Sequence, residues 1–580
     1  MNGRAVMGLV GEGASQARPP SLPPPGIFCL FSLLALSSYC DLLRWKGRQA
    51  PLPVIPGQWS APEFSDDRTT FLAHALSLTA LHGPGPWPDG GAPLPDEQST
   101  DSRLLSSTVL DGIRTHHLAA SDESPPITTL IDAVAAALSA PDAETLTALH
   151  DRLAEYRALD VADDLIKELR ALDHRAEDLR ALARWLAEHG TRRNAVALGI
   201  VMLGVAGDAR DQELLLLLGA LEDLTLYAIV ALANSQPDRE QAIHRLAQRV
   251  DGWGRIHAVE RLRGTQDPGI KSWLLRGGFR NRILNEYLAH LAATTGDLYT
   301  ALLAPEVDDE LLHGAAGILD ALVALPGPCS DIRHYADALP CLARFGELIA
   351  SAPPNLTLID TAGRLEKLLK EPPPDHDWPE ADISRLLGQY SALLARPDWS
   401  RHVRSALDQP TGESNFRLAL MCSEAVGIDA YPHVVSRLRR PPHDQYVWYW
   451  AATHTPEPEY TALLRLAGQV LPLDEIAVGP DPERIIGSSD GEGALDLVLS
   501  YIGDAGVAEA DVLPLIRTAL RGQGSRLRRI GLHVLNRLYG QDLPTGPRAW
   551  VSDAAAIEPY DELRANFADL LERTKPADEK

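Results

Sequence analysis

Residues 487–491 read GSSDG and fit the G-x-S-x-G spacing that raises a serine on a sharp turn as a nucleophile. Asp504 and His533 follow Ser489 in the chain order of an α/β-hydrolase triad, in which an imidazole takes the serine proton during acyl transfer. A second stretch, VDGWGRIHAVERL at 250–262, places His257 and Glu260 three residues apart, on one face of a helix. With His290 nearby in the pattern described below, these side chains are an acid, a base or metal donors by type, but three-residue spacing fixes no coordination geometry. His116 and His117 are adjacent, and neighbours on a helix point about 100° apart, a poor arrangement for holding one ion.

The elements that must position these residues argue against chemistry. A nucleophile elbow needs a strand before it and a helix after it, within alternating strands and helices. Here Pro/Asp-rich VGPDPERII precedes the motif and no parallel-sheet pattern surrounds it, so GSSDG reads as a loop capping the helix of GALDLVLSYIG. There is no Walker A sequence, no H-E-x-x-H and no dinucleotide fingerprint. No catalytic residue, cofactor or metal ligand is assigned. The WYW of 448–450 reads as helix core with at least one buried ring. SRLRR, at 436–440 and again at 525–529, reads as solvated helix ends whose arginines complement the dipole.

From residue 127 onward, apolar residues recur at three- and four-residue steps, as in AETLTALHDRLAEYRAL and EDLRALARWLAEHG. Between 194 and 303 a repeat emerges. Asp208, Asp238, Asp267 and Asp297 are 30, 29 and 30 residues apart, each in a short turn. A helical segment precedes each turn, and their columns agree in character: Leu198, Ala228, Ala258, Leu288; then Gly199, Ile229, Val259, Ala289; then Met202, Leu232, Leu262, Ala292. A unit of two helices about thirty residues long predicts an all-α superhelix of stacked pairs.

The turn aspartates, GRIHAVERL and the later DQYVWYWAA and SRLRRIGLHVL give the chain a pattern that resembles the HEAT and armadillo class of α-solenoids. The resemblance implies architecture rather than activity. It covers 127–350 as a first array and 383–545 as a second, with Pro-rich 351–382 as a break or irregular cap. Residues 546–580 read as a final helix and tail, 61–126 as an irregular, loosely helical region, and 1–60 as a disordered extension. Within 61–126, LHGPGPWPDGGAPLPDEQSTDS reads as loop or linker.

On the repeat, VDGWGRIHAVERL becomes the entry to the third unit's first helix. Ala258, Val259 and Leu262 face the core, while His257 and Glu260 point away. Aligned neighbours would place Tyr227, His257 and Tyr287 in an outward stripe, with Glu260 and His290 beside it. Aromatics concentrate in interface cores, so these five residues are the expected protein-binding positions. The other expectation for them is that further helices cover the stripe.

Composition narrows the partner. A formal net charge of −25 disfavours nucleic acid and anionic membrane surfaces, which need clustered Lys and Arg, and fits either high solubility or a basic partner, between which charge alone does not choose. Five scattered cysteines without C-x-x-C spacing point to a reducing compartment, and thus to the cytoplasm. The apolar stretch 27–40 is shorter than the roughly 20 residues a membrane helix requires, though it suits a signal-peptide core. The sequence therefore leads to a non-catalytic helical-repeat scaffold for protein–protein binding. The alternatives are an enzyme built on the same repeats, of lyase or hydrolase type, and a protein exported or tethered through 27–40.

Overall fold

A computed structural model describes residues 68–97, 127–324, 327, 329–441, 443–487, 489–502 and 508–574. Among these residues the chain is helix, turn and loop, with no strand. It divides into two compact units, Met1–Arg344 and Phe345–Lys580.

In the first unit the helices Arg193–Ala206, Glu222–Ser235, Gly252–Glu260 and Glu286–Thr295 pack each on the next, and Asp309–Val323 continues the row. Between them, Gln212–Leu218, Arg239–Ala247, Pro268–Trp273 and Leu298–Leu302 supply the second helix of each pair. This is the α–α superhelical repeat fold expected from the sequence. All twelve column positions from Leu198 to Ala292 are buried. Stacking is what permits this, because one two-helix unit cannot bury its own apolar face alone.

The turn aspartates have a defined physical task. Asp208 caps the short turn Ala209–Asp211, and its carboxylate accepts from the Arg210 N–H. Asp238 accepts from Gln241 and Asp267 from Ile270, each capping the second helix of its pair. These carboxylates satisfy N–H groups that have no partner within the helix. Asp297 departs from the pattern. Its backbone is left-handed (φ 55°), its side chain makes no cap, and it pairs with Lys271 Nζ at 2.6 Å. Aspartate is one of the few residue types that tolerate that conformation, so the turn survives by another route.

A buried ionic cluster fastens the start of this row. Asp211 has no exposed surface and binds Arg180 through two oxygens, at 2.7 Å each, and Arg184 at 3.0 Å. Both arginines lie on Ala176–His189, four residues apart on one face.

The Pro/Gly-rich stretch after the helix Phe71–His82 is irregular in backbone but is no free linker. Trp87 and Leu94 are each 4% exposed, and Asp96 accepts the Arg193 N–H at 2.8 Å. The stretch carries one short 3-10 turn, Pro88–Gly91, and composition says nothing about its packing. Residues 98–126 lie outside the described residues.

The second unit also alternates. Gln445–His454, Asp490–Ser500, Ser525–Tyr539 and Asp561–Arg573 form one row, and Tyr460–Val470 with Glu509–Ala519 the other. Its spacing is less regular because a long loop, 477–487, lies between pairs. That loop is held by backbone bonds, Gly479 N–H to Arg521 O at 2.8 Å and Arg526 N–H to Ile485 O at 3.0 Å. The Pro-rich 351–382 contains a 15-residue helix, Leu356–Lys370, packed on Glu380–Leu394 and Glu413–Ala425.

The capping assignment predicts that Asp267→Ala lowers the stability of the first unit by about 1 kcal/mol. A shift in the urea midpoint of its unfolding transition measures this, and no shift would contradict the cap.

Candidate functional site

The five candidate binding residues do not form one exposed stripe. Tyr227 is 7% exposed and His257 8%, so both belong to packed surface rather than to an outward face. Glu260, Tyr287 and His290 are half-buried. The structure does bring the middle of the set together around Trp253. The His257 ring centroid lies 6.2 Å and the Tyr287 centroid 5.1 Å from the indole, both tilted. His257 Nδ1 is 4.0 Å from a Glu260 oxygen, while His290 Nε2 is 3.0 Å from the His334 carbonyl oxygen. Burial raises the Tyr287 phenol above its ordinary pKa. Helical spacing correctly put these residues off the apolar columns. It could not show that a stacked helix is covered on more than one side.

VDGWGRIHAVERL does open a first helix, and its glycines serve close approach. Gly252 is left-handed (φ 58°), and a Cβ there would sit 2.3 Å from Glu222 Oε1. That carboxylate reaches across to accept the Trp253 N–H at 2.9 Å and also binds Arg282. Asp251 in turn accepts the Arg282 N–H at 3.0 Å. Burial pushes the Glu222 carboxyl up from its ordinary pKa, with Arg282 and the amides opposing. The opening residues of the motif, Asp251 to Trp253, are therefore parts of a helix junction.

Ser489 acts as the N-cap of Asp490–Ser500, its oxygen accepting the Glu492 N–H at 3.1 Å. His533 is exposed on Ser525–Tyr539, and Asp504 lies outside the described residues. Trp448 is fully buried, while Tyr449 and Trp450 are half-buried. The two SRLRR segments differ. The first ends Tyr431–Leu438, where Arg437 pairs with Glu413 at 3.2 Å. The second is not a solvated end. It starts a helix, where positive charge opposes the dipole, and Arg528 is 1% exposed in a two-oxygen pair with Glu558 at 2.7 and 2.8 Å. Arg526 there binds Asp496 at 2.7 Å.

Among the described residues no group of three or more His, Cys, Asp or Glu side chains is arranged to hold a metal ion. Nor is any helix among them long and apolar enough to cross a membrane. Cys329, Cys341 and Cys422 are free thiols. His116, His117, Cys29, Cys40 and the stretch 27–40 lie outside the described residues. One concave site escaped the sequence reading, a cavity of about 730 Å³ in the second unit. Its walls come from several helices and the turns between them, including the helix within the Pro-rich segment, so no local pattern marks it.

No family model matches the chain, and no curated protein matches it significantly. Among solved structures, an engineered protein aligns at 15% identity over 77% of this chain and 98% of its own, with a TM-score of 0.23. Likeness at that level carries no argument about fold or function.

The burial pattern predicts that Tyr227→Ser destabilises the first unit by about 3 kcal/mol, as loss of a packed aromatic ring does. His290→Ser, at a half-buried position, costs under about 1 kcal/mol. Denaturation of the two variants measures both, and equal small effects would return Tyr227 to the surface.

Proposed function

We propose that the chain is a non-catalytic scaffold of the HEAT/armadillo kind that binds a partner protein along a face of its stacked helices. The observation that supports this most is the junction of successive units. Glu222 accepts from Trp253, and Asp251 accepts from Arg282, one repeat further on in each case. Such links hold neighbouring pairs in fixed register, so side chains along a face keep set spacings from unit to unit. A long surface of set spacing is what repeat proteins use for recognition.

The charge of −25 adds that the partner is basic and that encounter is accelerated at low salt. Nucleic acid and anionic membranes are excluded from this reading on the same ground. A cytoplasmic location belongs to the reading through the scattered cysteines.

The test is affinity capture with the full chain at mild salt, followed by reconstitution from purified components. The expected result is a complex of fixed stoichiometry by size-exclusion chromatography with light scattering, weakening as salt rises. Labelling of Ser489 by a fluorophosphonate probe, with no such complex, would overturn the scaffold in favour of a hydrolase.

A further inference from the structure

The cavity of about 730 Å³ falls in the roughly 300–1,000 Å³ range of ligand pockets. Leu356–Lys370 contributes Asp360 and Arg364, Glu413–Ala425 contributes Glu424, and Gln445–His454 contributes Tyr446 and Trp450. The connecting turns add Asp429 and Glu459.

Its chemistry is lopsided. Four carboxylates line the space and one guanidinium, and that guanidinium is already engaged, Arg364 Nε donating to Asp360 Oδ2 at 3.1 Å. Glu424, Asp429 and Glu459 make no ion pair among the described residues, although Asp429 accepts the Tyr431 N–H at 3.0 Å. Burial raises the Asp360 carboxyl above its ordinary pKa even with Arg364 beside it.

The remaining lining suits an organic cation rather than a bare ion. Trp450 and His454 stack with centroids 4.3 Å apart and planes 5° apart, which holds the half-buried indole in place at the wall. An indole is the aromatic surface that attracts a cation best. Met421, at 37% exposed, offers apolar surface to an aliphatic stem.

We propose that this cavity takes the cationic side chain of a partner protein, an arginine or lysine whose stem lies on Met421 and whose head meets Glu424, Asp429 and Glu459. The proposal rests on the scaffold reading and adds where, and by what chemistry, the partner is held. An acidic peptide is excluded by charge, since the one cation present is already paired.

The experiment is a fluorescence-anisotropy titration of the full chain with a labelled Gly/Ser peptide carrying three arginines. Glu424→Gln/Asp429→Asn removes two cavity charges. Asp163→Asn/Glu168→Gln removes two charges from the helix Ala158–Ala171 and serves as the control. Circular dichroism melts show that both variants fold. The cavity variant is expected to bind at least ten-fold more weakly than the unaltered chain, and the control within two-fold of it. Equal weakening of both would show diffuse attraction to an acidic protein and overturn the proposal, as would absence of binding to the unaltered chain. If the peptide fails while the stoichiometric partner complex still forms, the cavity assignment falls and the scaffold stands. If the peptide binds at the cavity and no partner complex exists, it is the scaffold that falls.

Discussion

A helix begins with N–H groups that it cannot satisfy itself, and a stack of helices buries many of them. This chain resolves the conflict twice, by local caps such as Asp238 and Asp267 and by carboxylates that reach from one unit to the next. The carboxylate of Glu222 accepts from the start of the next unit's first helix at Trp253, and that of Asp251 from the unit after at Arg282. Asp96 does the same for Arg193 at the beginning of the row. In the second unit Glu492 accepts the Gly524 N–H at 2.8 Å. Left unmade, the buried donor at Gly524 would cost about 1–3 kcal/mol, and the part-buried ones less.

The same constraint explains residues that look idle in the sequence. Gly252 and Gly254 open space for the junction, with Thr225 Oγ1 lying 2.9 Å from where a Gly254 Cβ would be. Arg282 closes the bond set from two units away, pairing with Glu222 across 60 residues. The buried Arg180–Asp211 and Arg528–Glu558 pairs span 31 and 30 residues, so ionic links between units keep the same period. Pairs of this kind contribute more to fixed register than to net stability, since desolvation offsets much of their attraction.

The apolar columns were legible because burial of one face imposes a helical period, and three of the aspartates because they cap the turn between the two helices of a pair. The fate of Tyr227 and His257 was not, because a period states which residues share a face and is silent about what covers it. Arg528 misled for a related reason. In sequence an arginine cluster signals solvent, and only the position of Glu558, 30 residues on, shows that one member is buried and paired. The cavity was the least legible feature, since its carboxylates sit on separate elements of the second unit, and charge convergence is a property of packing.

Hydrogen bonds from one unit's carboxylates to the next unit's backbone, added to the local caps, hold the junctions between units. Amide hydrogen exchange at Trp253 and Arg282 tests this most directly, because the carboxylates of Glu222 and Asp251 accept from them. Slow exchange is expected at both amides in the native chain, with selective loss of protection at Trp253 in Glu222→Ala. Fast exchange at both positions in the unaltered chain would show that these bonds do not hold the junctions.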